Sequence, residues 1–305
     1  MNDSTFKEQF TSFIQSLQDT ICSGLERFEL EARFKQDEWH REGGGGGRSR
    51  VIANGKVFEK GGVNTSIVYG SLPEAMQKQF ETTHSQFFAC GISLVIHPVN
   101  PHVPTVHANY RYFELYDKHQ NVVDCWFGGG TDLTPYYLYE EDAKHFHMSQ
   151  KKACDEVDGS FYPQFKKDCD DYFFIRHRGE SRGIGGIFYD YLRPNAAHSK
   201  EDFFSLAKAC GEAFLKGYQP IVQKRKDITS TDEERQWQLF RRGRYAEFNL
   251  VQDRGTLFGL KTNGRVESIL MSLPPLARWE YDYHPVAGSR EDVLQQILMK
   301  PVSWV

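Results

Sequence analysis

His107, Asn109 and Arg111 put a proton carrier, an amide and a fixed positive charge two residues apart on one short run of chain. Side chains at that spacing share a face of a β-strand, so Ala108, Tyr110 and Tyr112 point the other way. A strand built only for a core would show an apolar face at the first set. Upstream, Ser93 and His97 also share a face, with Leu94 and Ile96 opposite, and Pro98, Pro101 and Pro104 stiffen the connection between the two strands. This is the pattern of a rigid site for a small anionic ligand. Trp126–Pro135 is the second unusual run: Gly128, Gly129 and Gly130 let backbone approach a flat ligand, and Asp132 then follows in an expected loop. Asp132 reads either as a turn or cap residue or as a carboxylate aimed at N–H donors or a developing cation.

Arginines cluster near glycines: Arg176, Arg178 and Arg182 before Gly183, Arg254 in Gln-Asp-Arg-Gly, and Arg265 after Asn263-Gly264. Guanidinium forks suit carboxylates, so together they favour a substrate carrying several of them. Asp190 reads as an arginine partner. The eleven histidines include His97, His102 and His107, the pair His145 and His147, and His177. A metal site is the sharp reading of these, but His-Glu-x-x-His is missing and His145 and His147 would not share a helix face. Hydrogen-bonded structural histidines are the plainer reading. No nucleophile elbow, dinucleotide fingerprint or P-loop occurs.

The elements that must hold these groups follow from periodicity. Residues 5–30 read as an amphipathic helix opened by Thr5 and Glu8. Gly43–Gly47 reads as a plain linker, or as a mobile lid or a loop whose backbone approaches a ligand. Short strands are expected over 49–70 with a turn at Asn54-Gly55, then a helix with Pro73 in its first turn. Strands at about 90–97, 105–116 and 121–127 precede helices at about 140–157 and 161–175 and a strand at 184–192. Helices start at Ser199, Thr231 and Ser289. Residues 244–251 and 256–262 read as a hairpin, and 265–272 as a further strand. Successive strands with few intervening helices favour an α+β fold, a single domain over 1–305 with a large antiparallel sheet flanked by helices.

The chain has 305 residues, 39% hydrophobic and 14% aromatic, with a net charge of −4. That charge argues against a nucleic-acid or membrane-surface binder. No apolar run reaches a membrane span, so no integral membrane segment is expected. The N-terminus resembles neither a secretory signal nor a transit peptide, and the six cysteines include no Cys-x-x-Cys. A cytoplasmic protein with reduced thiols is expected.

The same residues carry a family resemblance. Glu38-Trp-His-Arg-Glu with the glycines, Val57-Phe-Glu-Lys-Gly-Gly-Val-Asn, Ser93–Arg111, Trp126–Pro135, His177–Asp190, Gly243–Asn249, Asp253-Arg-Gly-Thr and Glu267–Pro275 resemble, in order, the oxygen-dependent coproporphyrinogen III oxidases. The resemblance implies oxidative decarboxylation of the ring A and B propionates of coproporphyrinogen III to vinyl groups in heme biosynthesis. Protoporphyrinogen IX, carbon dioxide and hydrogen peroxide would be the products. It implies molecular oxygen as co-substrate, no required cofactor, and a homodimer with 243–280 at its interface. Carried over by motif, His107 would be a proton donor and Asp132 would meet the pyrrole N–H groups. Asp253 and Arg254 would line the propionate side, and Ser93, Asn109, Arg111, Asn263, Gly264 and Arg265 would bind substrate. The family's metal-binding histidines would map to His97, His107, His147 and His177, although no metal is the expectation. A metal-dependent dioxygenase and a noncatalytic tetrapyrrole-binding protein are the competing readings.

Overall fold

A computed structural model describes residues 5–72, 74–79, 81–261 and 264–305. Seven strands form one antiparallel sheet in the order β1-β2-β3-β4-β5-β6-β9. They are β1 (Lys35–His40), β2 (Gly45–Ala53), β3 (Phe58–Ser71), β4 (Gln86–Pro98), β5 (Thr105–Tyr116), β6 (Val122–Thr134) and β9 (Gly185–Leu192); the two-residue strands β7 (Phe174–Ile175) and β8 (Glu180–Ser181) pair apart from it. The architecture is the expected α+β one. Neighbours in the chain are neighbours in the sheet up to β6, as hairpin connections dictate.

The sheet's two faces do different jobs. On β5, Val106, Ala108, Tyr110 and Tyr112 are fully buried, whereas His107, Asn109 and Arg111 are only partly so. The buried face packs against α1 (Phe6–Glu26) and α5 (Lys200–Arg225). Phe10 of α1 meets Tyr112 at 5.5 Å, and Tyr110 donates its hydroxyl proton to the Cys210 carbonyl of α5 at 2.9 Å. Helix α1 begins where its Thr5–Glu8 pair predicts, the Glu8 carboxylate accepting from the Thr5 N–H at 2.7 Å. Ser199, Thr231 and Ser289 likewise cap α5, α6 (Asp232–Val251) and α9 (Arg290–Leu298). Helices α3 (Glu140–Asp155) and α4 (Phe161–Tyr172) occupy the expected segments, and the turn at Asn54 has the left-handed φ of 56° that such a residue tolerates. A helix α2 (Glu74–Gln79) follows β3; the expected role of Pro73 lies outside the described residues.

Four expectations are corrected. Residues 244–262 are not a hairpin: α6 runs unbroken through Gly243 to Val251, and α7 (Arg254–Lys261) follows. Trp237, Phe240, Tyr245 and Phe248 keep a helical stripe that is buried, and that burial decides the matter. Asp253, taken for a hairpin turn, caps α7 by accepting from the Thr256 N–H at 2.7 Å. Residues 265–272 are not a strand but contain α8 (Val266–Leu270), whose turn sets Ser268 and Met271 against the sheet. Gly43–Gly47 is neither linker nor free lid: Gly45, Gly46 and Gly47 are already in β2. Asp132 sits in β6, not in a loop.

Candidate active site

Cross-strand register assembles the site on the face opposite α1 and α5. One row runs Asp37, Ser49, Asn64, Ser93, Asn109, Gly130 and Phe188 across all seven strands. The next row on one side runs Trp39, Gly47, Ser66, Gly91, Arg111 and Gly128, and the next on the other runs Val51, Gly62, Val95, His107, Asp132 and Gly186. Ser93, Asn109, Arg111, His107 and Asp132 are therefore brought together by hydrogen-bonded strands. Six glycines pave the same face. At Gly62 the missing side chain makes room for Met271, and at Gly128 an added Cβ would lie 2.5 Å from Arg111 Nε. The segment carrying α7 and α8 covers the β1–β3 half. Ser49 and Ser268 hydroxyls meet at 2.8 Å, Asn64 Nδ2 donates to the Ser268 carbonyl at 3.1 Å, and Lys60 donates to the Leu273 carbonyl at 2.9 Å. Ser93, on the floor of the other half, is exposed.

The charged centre is His107, Asp132 and Arg182. His107 Nδ1 lies 2.7 Å from Asp132 Oδ1, and Arg182 Nη2 lies 3.0 and 2.7 Å from Oδ1 and Oδ2. Asp132 and Arg182 are each only 2% exposed. Burial pushes the Asp132 carboxyl up, but the Arg182 charge and the His107 bond outweigh it and hold the carboxyl below its usual range. Burial lowers Arg182, and Asp132 more than reverses that. An ionised carboxylate only accepts, so His107 Nδ1 must donate, and Nε2 is the nitrogen left to meet a ligand. Phe173, Tyr245 and Phe248 rings stand 4.1, 4.5 and 4.9 Å from the Arg182 guanidinium, and Asn249 Oδ1 accepts from its Nη1 at 3.1 Å. This fixes the cation, and through it the carboxylate and the imidazole tautomer.

Next to this centre, Arg111 Nη2 pairs with Asp190 at 2.9 Å, and Arg254 reaches the other Asp190 oxygen at 3.5 Å. Arg254 also stacks on Tyr172, whose hydroxyl donates to Asp253 Oδ1 at 2.8 Å. Asn109 Oδ1 and Arg111 Nε are buried without a hydrogen-bond partner among the described residues. Arg265 lies at the far side, paired with Asp37 of β1 and bonded to Ser268 at 3.3 Å. Gly264 closes the end of α7 by donating to the Gly259 carbonyl at 2.8 Å. Four strand spacings, about 19 Å, separate the strands of Asp37 and Asn109. The proposed role of Asn263 lies outside the described residues.

His97, His147 and His177 stand apart, each bonded to its own partner. His97 is fully buried, its Nε2 donating to the Ser272 carbonyl at 2.8 Å and its Nδ1 facing the Thr105 hydroxyl at 3.1 Å. Both His147 nitrogens are engaged as well, by Tyr162 at 2.9 Å and the Ile184 carbonyl at 3.1 Å. His177 pairs with Glu247 at 2.9 Å. Each of these rings has its own partner, and among the described residues no three His, Cys, Asp or Glu side chains are grouped to hold a metal ion. This set does not fit a metal. Sequence reasoning grouped Arg182 with its neighbours but missed its pairing with Asp132; a separation of 50 positions hides it. It also missed the aromatic box, whose members lie at the end of α4 (Phe173) and on α6 (Tyr245 and Phe248).

Comparison with known proteins gives this arrangement a family. The family model for coproporphyrinogen III oxidase matches residues 9–304. The chain is 51% identical over 315 residues to the oxygen-dependent coproporphyrinogen-III oxidase of Prochlorococcus marinus (strain NATL1A), covering 95% of this chain and 89% of that protein. It is 50% identical to the chloroplastic coproporphyrinogen-III oxidase 1 of Arabidopsis thaliana, covering 100% of this chain and 81% of that one. The oxygen-dependent chloroplastic enzyme of Glycine max gives the same figures. The chain therefore belongs to the coproporphyrinogen III oxidase family.

Proposed function

We propose that this chain is an oxygen-dependent oxidoreductase that converts the ring A and B propionates of coproporphyrinogen III to vinyl groups, giving protoporphyrinogen IX. Each propionate loses its carboxylate as carbon dioxide and a hydrogen from the carbon next to the ring. The electron pair of the broken carbon–carboxylate bond forms the vinyl double bond. The two electrons leaving with the ring-side hydrogen reduce one oxygen molecule, which gains two protons and leaves as hydrogen peroxide. The observation that carries the reading is the polar, glycine-paved face with a buried Asp132–Arg182 pair holding His107 beside the Arg111–Asp190–Arg254 group.

In this reading Ser93, Asn109 and Arg111 bind one side of the macrocycle, and Asn263, Gly264 and Arg265 bind the other. Four carboxylates on a broad flat ligand suit guanidiniums set far apart on one face. Asp253 and Arg254 line the propionate side, Asp253 by fixing the start of α7 and the Tyr172 hydroxyl against which Arg254 stacks. Asp132 Oδ2, which among the described residues accepts from Arg182 alone, takes a pyrrole N–H and makes the ring electron-rich; His107 Nε2 carries a proton. The reading includes operation without a metal, as a cytoplasmic homodimer. Among the described residues no helix is long and apolar enough to cross a membrane. Exposed Val251, Phe258, Leu276 and Trp279 support an interface in the 243–280 stretch.

The test is to incubate metal-stripped protein with coproporphyrinogen III, with and without oxygen, and to follow vinyl product by chromatography. Oxygen-dependent product without added metal is expected. Activity restored only by one metal would overturn the metal-free reading, and substrate binding without product would leave a binding protein.

A further inference from the structure

We propose that Asp190 is a positioning residue for the substrate's carboxylates, bringing Arg111 of the sheet and Arg254 of the covering helix to one point. This rests on the proposed oxidase function. Three local devices aim the Asp190 carboxylate. Pairing between β6 and β9 slips from Gly129 opposite Tyr189 to Phe127 opposite Leu192, so β9 carries one residue more than β6 across this stretch. Such a bulge re-aims the side chains beside it. Tyr191 holds a left-handed φ of 53°, a conformation a bulky residue adopts only when its surroundings impose it. Gly128, opposite the bulge, has no side chain, and Arg111 crosses β6 through that gap; a Cβ there would meet its Nε at 2.5 Å.

The result is a carboxylate with two unlike partners. Asp190 Oδ1 takes Arg111 Nη2 at 2.9 Å and the Tyr191 N–H at 3.0 Å, and Oδ2 takes Arg254 Nη2 at 3.5 Å. The Asp190 side chain is 14% exposed, but Arg111 is 34% and Arg254 59% exposed, so both guanidiniums keep an open side. Ion pairs this exposed add little to stability, which leaves the bulge and the left-handed residue without a structural return. Two guanidiniums around one carboxylate carry a net charge of plus one. A propionate arriving on their open side completes the pairing through the exposed guanidinium nitrogens. Without Asp190 the two cations repel, and Arg111, which crosses bare Gly128 with its guanidinium 5.8 Å from the Trp126 ring, loses its only ionic partner among the described residues.

The experiment compares wild type with Asp190→Ala, Asp190→Asn, Asp190→Glu, Arg254→Ala and the Asp190→Ala/Arg254→Ala pair. It measures turnover of coproporphyrinogen III and, separately, fluorescence binding of coproporphyrin III, an oxidised four-carboxylate probe. Asp190→Ala and Asp190→Asn raise KM and the probe Kd by about tenfold, the loss of one charge-assisted bond, with kcat within twofold. Asp190→Glu recovers part of the affinity. Arg254→Ala costs less in the Asp190→Ala background than in wild type, because the two act through one contact. KM unchanged or lowered in Asp190→Ala, or additive effects in the pair, overturns the proposal, as does a fall confined to kcat. If wild type forms no vinyl product yet the probe binds tenfold more weakly to Asp190→Ala, the oxidase reading fails and the role of Asp190 stands.

Discussion

Asp132→Asn separates the charge of the buried centre from its shape. Asparagine keeps the volume but replaces one acceptor oxygen with an N–H2 group. In the native site Oδ1 serves both His107 and Arg182, and Oδ2 serves Arg182. Arg182 cannot accept, so the amide oxygen must turn to it and the amide N–H2 must face His107 Nδ1. His107 then becomes the acceptor at Nδ1 and its one proton sits on Nε2, so the ring can no longer give up that proton while a carboxylate holds Nδ1–H. Arg182, 2% exposed, also loses its counter-charge. Breaking a buried pair in this way costs about 3–5 kcal/mol of stability. For a chain of this size that lowers the melting temperature by about 5–8 °C. Turnover falls by about 10²–10⁴, the range for losing a positioned acid–base group. KM stays within about threefold, because Ser93, Asn109 and Arg111 make no bond to Asp132 in the structure. The assay is oxygen uptake and vinyl product at 20 °C, with urea unfolding of the same sample to establish that the variant is folded. A folded Asp132→Asn enzyme with kcat within threefold of wild type would refute the reasoning.

Three further outcomes are expected. Gly128→Ala sets a methyl against Arg111 Nε and displaces the guanidinium, so KM rises about tenfold or more while the melting temperature changes by only a few degrees; unchanged KM would remove the steric argument. Burial lowers His97 well below the usual histidine range and His147 to about 3, so the unfolded chain takes up these protons first as pH falls. Stability is then full above pH ~6.5 and drops by about 1.4 kcal/mol per unit for each ring below it, about 3 kcal/mol in all by pH 5.5, read from urea midpoints; a flat profile contradicts it. Light scattering of the purified protein gives twice the chain mass, and Val251→Glu with Leu276→Glu gives the single mass; a monomeric wild type removes the dimer reading.

The chemistry was most legible where it followed the strand period. His107, Asn109 and Arg111 share a face because side chains alternate, and the apolar set Ala108, Tyr110 and Tyr112 is buried as required. Asp132 was readable as a residue of interest but not in its place. Three preceding glycines imitate a turn, and only pairing with β5 and β9 keeps them extended. The stretch 244–262 was misread because the helix opened at Thr231 runs on to Val251. It passes through Gly243, which leaves space where the Arg278 carbonyl passes. Arg182 and its aromatic box, and the bonding of Arg111 to Asp190 across a bare strand, depend on chain crossings that no local spacing encodes.

Strand β5 also constrains how this protein can vary in length. From Val106 to Tyr112 its even-numbered side chains belong to the core, and His107, Asn109 and Arg111 between them belong to the site, so inserting or deleting one residue in that stretch exchanges the two roles. Tyr110 would be thrust into the cleft and a charged or amide group into the core. The exposed turn from Asp117 to Asn121, held by the Asp117 carboxylate and a left-handed Gln120, carries no such double duty. Length variation among natural sequences of this kind should therefore collect in that turn, and the strand itself should change by substitution alone.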